Sequence, residues 1–387
     1  MASNNCKKKI LHVVGTLKIG GAEMMLLQYT KALGGERFEH YVYCFGSDGP
    51  VRNLLESLGV SVVFGSGLKS IINPVKFFFS LYALFKNIIL YIRENNIQAI
   101  VSHSDQSDKV AVVAGKITAV PAFPTIHSTQ SVLDKRNKLD LRVYINKAVD
   151  HIVYRIADMI IAVSPEVKEI VCKRYNLSAS RVIVVKNGIV FHGKFRGGVF
   201  ERNNFDFRKN RLKILAVGRL AYEKNFDVLI RAIAHIVEKG FTRISVQVLG
   251  DGEEYEKLSS LINSLQLNNY VELLGYKDNV IEYMLNSHVF VITSRYEGLS
   301  VAMIEAFSCS LPVVASNAPG LRDFINNENG ILFAVGDYVD LAENIVKLFN
   351  DEKLYRLLSD GAKKSFFTNY DMTKNIKPLI DAVSDTF

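Results

Sequence analysis

The chain has 387 residues, of which 49% are hydrophobic and 22% charged, and it carries a formal net charge of +8 with no tryptophan. That is too long for one ordinary core and predicts two domains of about 150 to 200 residues, while the positive balance favours polyanionic partners. Four cysteines (Cys6, Cys44, Cys172, Cys309) lie far apart with no CxxC pair, which excludes a zinc-ligand pattern or a disulfide framework and fits a reducing cytoplasm.

Lys7-Lys8-Lys9 before an apolar run imitates the start of a signal peptide. The run contains His12, ends at Lys18 and lacks a small-residue cleavage site, so it reads as a first strand. Strand-like runs then recur at 10–14, 39–44, 60–64, 99–103, 122–127 and 159–163, separated by longer helical patterns. Such alternation predicts a parallel sheet with helices on both faces. Gly20-Gly21, ahead of an amphipathic helix, makes a glycine turn where backbone approaches a phosphate or sugar; the alternative is a connector needing positive φ. The apolar stretch 77–92 is interrupted by Lys86 and Asn87 and is too short to span a bilayer; it predicts a buried helix or, with Lys76 and Arg93 beside it, an interfacial one. His127 ends the fifth run, where a histidine is either a structural hydrogen-bonder or a substrate contact, and His103 with Asp105 and Asp108 is a second candidate. Lys135, Arg136, Lys138, Arg142, Lys147 and Arg155 form a basic stretch, either a solvated face or a surface for anionic lipid. No nucleic-acid-binding motif is present.

Residues 192–210 are rich in Gly, Arg, Asn and Phe without a period and read as a linker. A second series of strands follows at 213–217, 245–249, 271–273, 288–292 and 311–315. The fold class is therefore α/β with two doubly wound, Rossmann-like domains, over 1–190 and 211–370 with a 191–210 linker, facing an interdomain cleft.

The second domain carries the densest chemistry. Gly218 follows a strand and puts Arg219 and Lys224 on the loop at its carboxyl end, where fixed cations stabilise a departing phosphate more than a bound one. After the strand at 289–293, Gly298 and Leu299 lead through the N-cap Ser300 into a helix holding Val301, Ile304, Glu305 and Phe307. A helix N-terminus at a strand's carboxyl end is an anion site. Glu297 before it and Glu305 within it can grip hydroxyls on either side of a diphosphate, which is the shape of a nucleotide sugar.

Glu297 and Glu305, eight positions apart and followed by 311–315 (Leu-Pro-Val-Val-Ala), resemble the signature of the family 4 (group 1) retaining glycosyltransferases of GT-B fold. Gly20-Gly21-Ala22-Glu23, Asn187-Gly188-Ile189, Gly218-Arg219-Leu220 with Lys224, Gly250-Asp251-Gly252, Gly275, Gly320-Leu321-Arg322-Asp323 and Asn329-Gly330 follow the family's order across nearly the whole chain. The resemblance implies that Arg219 and Lys224 hold the diphosphate without a metal, and that Glu305 takes the ribose and Glu297 the transferred sugar. It places His127 near that sugar, Gly275 beside the base, and the stretch after residue 370 back on the first domain. It further implies a hexose-type sugar moved from a UDP- or GDP-sugar to a glycan or lipid-linked acceptor in surface polysaccharide synthesis, at the inner face of a membrane. No cofactor beyond the donor and no protein nucleophile is expected. Val190, Ser310 and Asp323 depart from the family's usual residues without touching the clamp. A nucleotide-sugar isomerase of similar fold and an idle partner subunit are the rival readings.

Overall fold

The computed structural model describes residues 7–385 apart from 19, 36, 66–73, 128–140, 191–210 and 298–299, with backbone only for 74–78 and 141–145. The expected linker therefore lies outside the described residues. The chain divides into two compact units, Met1–Val190 with Met372–Phe387, and Phe191–Asp371.

Unit 1 runs β1 (Lys8–Thr16), α1 (Gly21–Leu33), β2 (Phe38–Ser47), α2 (Val51–Ser57), β3 (Ser61–Phe64), α3 (Pro74–Glu94), β4 (Ala99–Ser102), α4 (Asp105–Thr118), β5 (Ala122–Ile126), α5 (Leu141–Ile156), β6 (Ile160–Ala162), α6 (Pro165–Tyr175) and β7 (Val182–Val184). Its strands form one seven-stranded sheet in the order β3-β2-β1-β4-β5-β6-β7, every pairing parallel. Parallel strands need cover on both faces, which is why these segments are nearly continuous apolar runs. Leu11, Val13 and Ile100 pack with Leu84, Ile88, Val110 and Val153 on one face. Val14, Val42 and Cys44 pack with Leu26, Leu27 and Leu55 on the other.

Unit 2 runs β8 (Leu212–Val217), α7 (Phe226–Glu238), β9 (Ile244–Leu249), α8 (Tyr255–Ser264), β10 (Val271–Leu273), α9 (Val280–Leu285), β11 (Val289–Ile292), α10 (Val301–Ser308), β12 (Val313–Ser316), β13 (Gly330–Phe333), α11 (Tyr338–Asn350) and α12 (Glu352–Ser365). Six parallel strands stand in the order β10-β9-β8-β11-β12-β13. The chain then returns to unit 1 as α13 (Met372–Asn375) and α14 (Lys377–Asp385). Met372 N donates to Ile189 O at 3.0 Å and Val190 N to Gln28 Oε1 at 2.7 Å, so residues 187–190 are strapped between α1 and α13.

Two strands have no counterpart in the sequence reading. β7 has three residues and β13 four, the latter beginning with glycine. The glycine pair before α1 also behaves differently from the positive-φ alternative. Gly20 has φ −158°, ordinary extended backbone, and Gly21 is outside the left-handed region. A Cβ at Gly20 would meet only the carboxylate end of the Glu23 side chain, which lies over the helix start and can move aside. No helix among the described residues is long and apolar enough to cross a membrane; α3 is a 21-residue helix with Leu84, Ile88 and Ile92 buried and Phe79 and Tyr82 about two-thirds exposed.

Candidate functional site

In each sheet the winding reverses beside its first strand, and in open α/β sheets the carboxyl ends of the strands on either side of such a reversal are where ligands bind. In unit 2 those strands are β8 and β11. Their loops, residues 218–225 and 293–300, hold most of the residues singled out by sequence.

The loops are bonded to each other. Thr293 Oγ1 donates to Lys224 O at 2.7 Å, Arg295 N to Glu223 O at 2.8 Å, and Arg295 Nη2 to Asn225 Oδ1 at 2.5 Å. The Arg295 guanidinium lies 4.4 Å from the centre of the Tyr222 ring. Asn225, buried and left-handed at φ 57°, ends the loop and starts α7, a conformation asparagine tolerates better than most residues. Lys224 is thereby fixed at its backbone, and its ammonium reaches Glu297 Oε1 at 2.5 Å, with side chains 23% and 12% exposed. Ser294 Oγ donates to the same carboxylate oxygen at 2.8 Å, and Ser316 Oγ holds the Ser294 carbonyl at 2.5 Å. Arg219 is more exposed and pairs with Glu223 at 2.8 Å and Glu253 at 3.8 Å. The two cations expected to meet a diphosphate thus both carry carboxylate partners.

Glycines bring the neighbouring loop in against this one. Gly250 (φ 135°) leaves no room for a Cβ against the Gly218 carbonyl, and Gly252 none against that of Leu220. Gly275, at φ 70°, accepts from Gly250 N at 2.9 Å, while Tyr276 N donates to Asp251 Oδ2 at 3.0 Å. Gly250-Asp251-Gly252 is therefore a packing turn behind Gly218. Ser300 caps α10 by accepting from Met303 N at 3.3 Å, and Val301 and Glu305 on that helix are half-buried. Gly298 and Leu299 lie outside the described residues.

In unit 1 His103 and His127 follow the carboxyl ends of β4 and β5, and His12 in mid-β1 and His40 early in β2 join His103 in a row of histidines. His12 Nε2 is 3.1 Å from His40 Nδ1, and His12 Nδ1 is 3.1 Å from His103 Nε2. The His103 and His127 rings are 5.9 Å apart, centre to centre. Burial pushes His40 and His127 down to about 4 and holds His12 and His103 well below the usual imidazole range, so all four are neutral at pH 7. On α4, Asp108 accepts from Ser102 Oγ at 2.7 Å and Tyr154 OH at 2.8 Å, and burial lifts its carboxyl to about 8. His127 and His103 are the two histidines that sequence singled out. His12 and His40 were missed, although both sit at alternate positions of apolar strands, where an imidazole facing a core demands a partner. Thr293 and Asn225 were missed because nothing local marks a hydrogen bond between loops some 70 positions apart, and Ser294 because its bond to Glu297 three positions on depends on the turn after β11.

Two α/β units, one with a bonded Lys-Glu pair and a capped helix at its winding reversal, define the architecture of a GT-B glycosyltransferase. The family model described as Glycosyl transferases group 1 matches residues 200–365, and that described as Glycosyltransferase Family 4 matches residues 19–191. The chain belongs to this glycosyltransferase family. It is 26% identical over 392 aligned positions to the Escherichia coli UDP-Gal:alpha-D-GlcNAc-diphosphoundecaprenol alpha-1,3-galactosyltransferase, covering 100% of this chain and 99% of that one. A Campylobacter jejuni N-acetylgalactosaminyltransferase acting on a diphospho-undecaprenol-linked sugar is 29% identical over 61% of this chain and 62% of its own. Among solved structures, Anabaena Alr3699/HepE in complex with UDP superposes with a TM-score of 0.75 at 22% identity, covering 97% of this chain and 100% of the other.

Proposed function

We propose that this glycosyltransferase moves a hexose-type sugar from a UDP-sugar to a polyprenyl-diphosphate-linked sugar, with retention of anomeric configuration and no metal ion. The observation that carries the reading is the Lys224–Glu297 pair, held between two mutually bonded loops at the β8/β11 reversal. Its support in detail comes from relatives. The E. coli protein's name gives a UDP-galactose donor and a diphosphoundecaprenol-linked acceptor, and three structures of the Anabaena protein hold UDP, UDP with glucose, or UDP-glucose.

In this reading the diphosphate displaces the carboxylates from Lys224 and Arg219 and takes backbone N–H groups at the start of α10, Ser300 and Val301 among them. Glu297, released from Lys224, accepts hydrogen bonds from the transferred sugar, Glu305 binds the ribose, and Gly275 lies beside the base. The acceptor oxygen bonds to the sugar's anomeric carbon as the bond to phosphate breaks on the same face, and the acceptor proton passes to the departing phosphate oxygen. The cations stabilise charge as it grows there, so no protein nucleophile takes part. Unit 1 takes the acceptor, with His127 hydrogen-bonding a sugar hydroxyl.

Membrane contact is part of the proposal. Phe79, Tyr82 and Leu90 of α3 are exposed beside Lys86 and Arg93, and Val149, Ile152 and Ile156 of α5 beside Lys147 and Arg155, a mixed face suited to anionic lipid at the cytoplasmic surface. The deciding experiment is calorimetric titration of UDP, GDP and ADP and their sugars into the wild type and the Arg219→Ala/Lys224→Ala variant. Transfer to a polyprenyl-diphosphate sugar is then followed by the anomeric coupling of the product. Selective UDP binding lost in the variant, with a retained anomer, is expected. No binding of any nucleotide would return the protein to the idle-partner reading.

A further inference from the structure

Arg295 bonds to the residues on either side of Lys224 and not to its side chain. Its backbone N–H donates to Glu223 O at 2.8 Å, its Nη2 to Asn225 Oδ1 at 2.5 Å, and its guanidinium lies 4.4 Å from the centre of the Tyr222 ring. Thr293, buried two positions earlier, donates to the Lys224 carbonyl. Lys224 itself closes a short 3₁₀ turn, Tyr222–Lys224, and Asn225 follows it in the left-handed region at φ 57°. A single turn has too few bonds of its own to keep its shape alone. Here the missing bonds come from the loop after β11.

As a device for stability alone this tie is a poor choice. Arg295 Nε and Asn225 Nδ2 are buried with no hydrogen-bond partner among the described residues, and each such donor costs stability that an apolar pair of the same shape would keep. The guanidinium also has no carboxylate partner among the described residues, whereas Arg219 has Glu223 and Glu253 and Lys224 has Glu297. What Arg295 meets instead is an amide oxygen and the face of an aromatic ring, both without net charge. A carboxylate in either place would add a fourth negative charge beside the two cations. Neutral partners fasten the loop without repelling an anion that comes to them.

We propose that Arg295 is a positioning residue for Lys224: through Tyr222, Glu223 and Asn225 it holds the lysine's backbone so that the ammonium stands where the donor's diphosphate arrives, and it does so without touching the donor. That the ammonium meets a diphosphate rests on the donor reading above, while the hold of Arg295 on Lys224 stands without it. A group misplaced by about 1 Å can cost about a hundredfold in rate, so a residue outside the cation pair and outside both glutamates sets how well the pair works.

Two measurements on the full chain test it, and the first needs no ligand. Acetic anhydride labels each lysine at a rate set by its freedom, read by mass spectrometry, and Lys224 is 23% exposed with its ammonium on Glu297. In Arg295→Met, Lys224 is expected to label about fivefold faster than in wild type, the size of one ordinary hydrogen bond. Arg295→Lys, which keeps a donor and a charge for the ring, is expected to restore most of the difference, with the exposed Lys347 on α11 as internal standard. The second measurement is UDP affinity by displacement titration in wild type, Arg295→Met, Lys224→Met and the double variant. Arg295→Met is expected to weaken UDP about tenfold when Lys224 is present and less than about twofold when it is not, since a residue acting through Lys224 then has nothing left to act on. An equal loss in both backgrounds overturns the proposal, as does a folded Arg295→Met in which Lys224 labels at the wild-type rate. Should Arg295→Met not fold, Tyr222→Leu takes its place, because that ring is 60% exposed and its removal takes away the stacked face alone; unchanged Lys224 labelling there is equally decisive. Faster labelling in a protein that binds no UDP would keep the hold on Lys224 and refute the donor reading, and UDP binding with Lys224 labelling indifferent to Arg295 would do the reverse.

Discussion

Lys224 and Glu297 offer a perturbation whose effects on stability and on ligand binding run in different directions. Their side chains are 23% and 12% exposed at 2.5 Å, between a surface ion pair, worth under about 1 kcal/mol, and a buried one, where removing one partner costs about 3 to 5 kcal/mol. Lys224→Met strands a largely buried carboxylate that also accepts from Ser294, and Glu297→Gln strands the ammonium; each is expected to cost about 2 kcal/mol. Removing both charges strands neither, so the double variant should be more stable than the sum of the singles predicts by about 2 kcal/mol. For a unit of this size that is roughly 4 to 8 °C in the melting of unit 2. Binding should split the other way. Lys224→Met is expected to weaken UDP and lower turnover by about a hundredfold or more, whereas Glu297→Gln releases the ammonium and should bind UDP at least as tightly as wild type while losing transfer. A thermal-melt double-mutant cycle with calorimetric UDP titration of all four proteins measures both. Strictly additive stabilities, or a Glu297→Gln that loses UDP as Lys224→Met does, would refute the argument.

The four neutral histidines make unit 1 sensitive to acid. Their folded pKa values lie below the unfolded 6.5, so the unfolded chain binds the extra protons, and stability present above pH 6.5 is lost as pH falls toward 4. At pH 5 His40 and His127 together account for about 4 kcal/mol of that loss. Asp108 works in the opposite sense: with its carboxyl lifted to about 8, the fold holds a proton that the unfolded chain releases above pH 4, and stability declines as pH rises toward 8. Relative to wild type, Asp108→Asn should gain roughly 1 kcal/mol per pH unit between pH 5 and 7.5 in denaturant unfolding. Measured in that variant, the acid loss should stand alone, and a flat profile from pH 6.5 to 5 would contradict the neutral row. Ser300→Ala, which removes the cap of α10, is expected to cost about 1 kcal/mol and to weaken UDP binding several-fold, because it loosens the amides that would face the phosphate; unchanged UDP affinity would take α10 out of the site.

The sheets were legible because a parallel strand buried on both faces writes itself as an apolar run, and eleven such runs stand out between helical stretches. β7 and β13 were not read, although the edge strands β3 and β10, equally short, were; β13 opens on a glycine and β7 lies just ahead of the linker, and neither stood out as a separate run. The loops were legible through types that chemistry restricts: a cation after a strand-ending glycine, a serine before a helix, paired glutamates. How they meet was not. Nothing in the string places Lys224 against Glu297, or Thr293 beneath the Lys224 carbonyl, because those contacts depend on β8 and β11 being neighbours. His12 and His40 hid for a related reason. Each looks like an isolated interruption in its own strand, and only the β2-β1-β4 order makes them one row.

The strap of α13 and α14 onto unit 1 bears on the order in which a ribosome completes the molecule. Unit 2 is a continuous stretch and can close its sheet during synthesis, whereas unit 1, begun first, waits for Met372 to meet the Ile189 carbonyl. That reverses the usual order, in which the domain begun first also finishes first. A nonsense codon at 372 would leave every residue of both motif sets in place, yet release a nascent chain whose first domain was never finished.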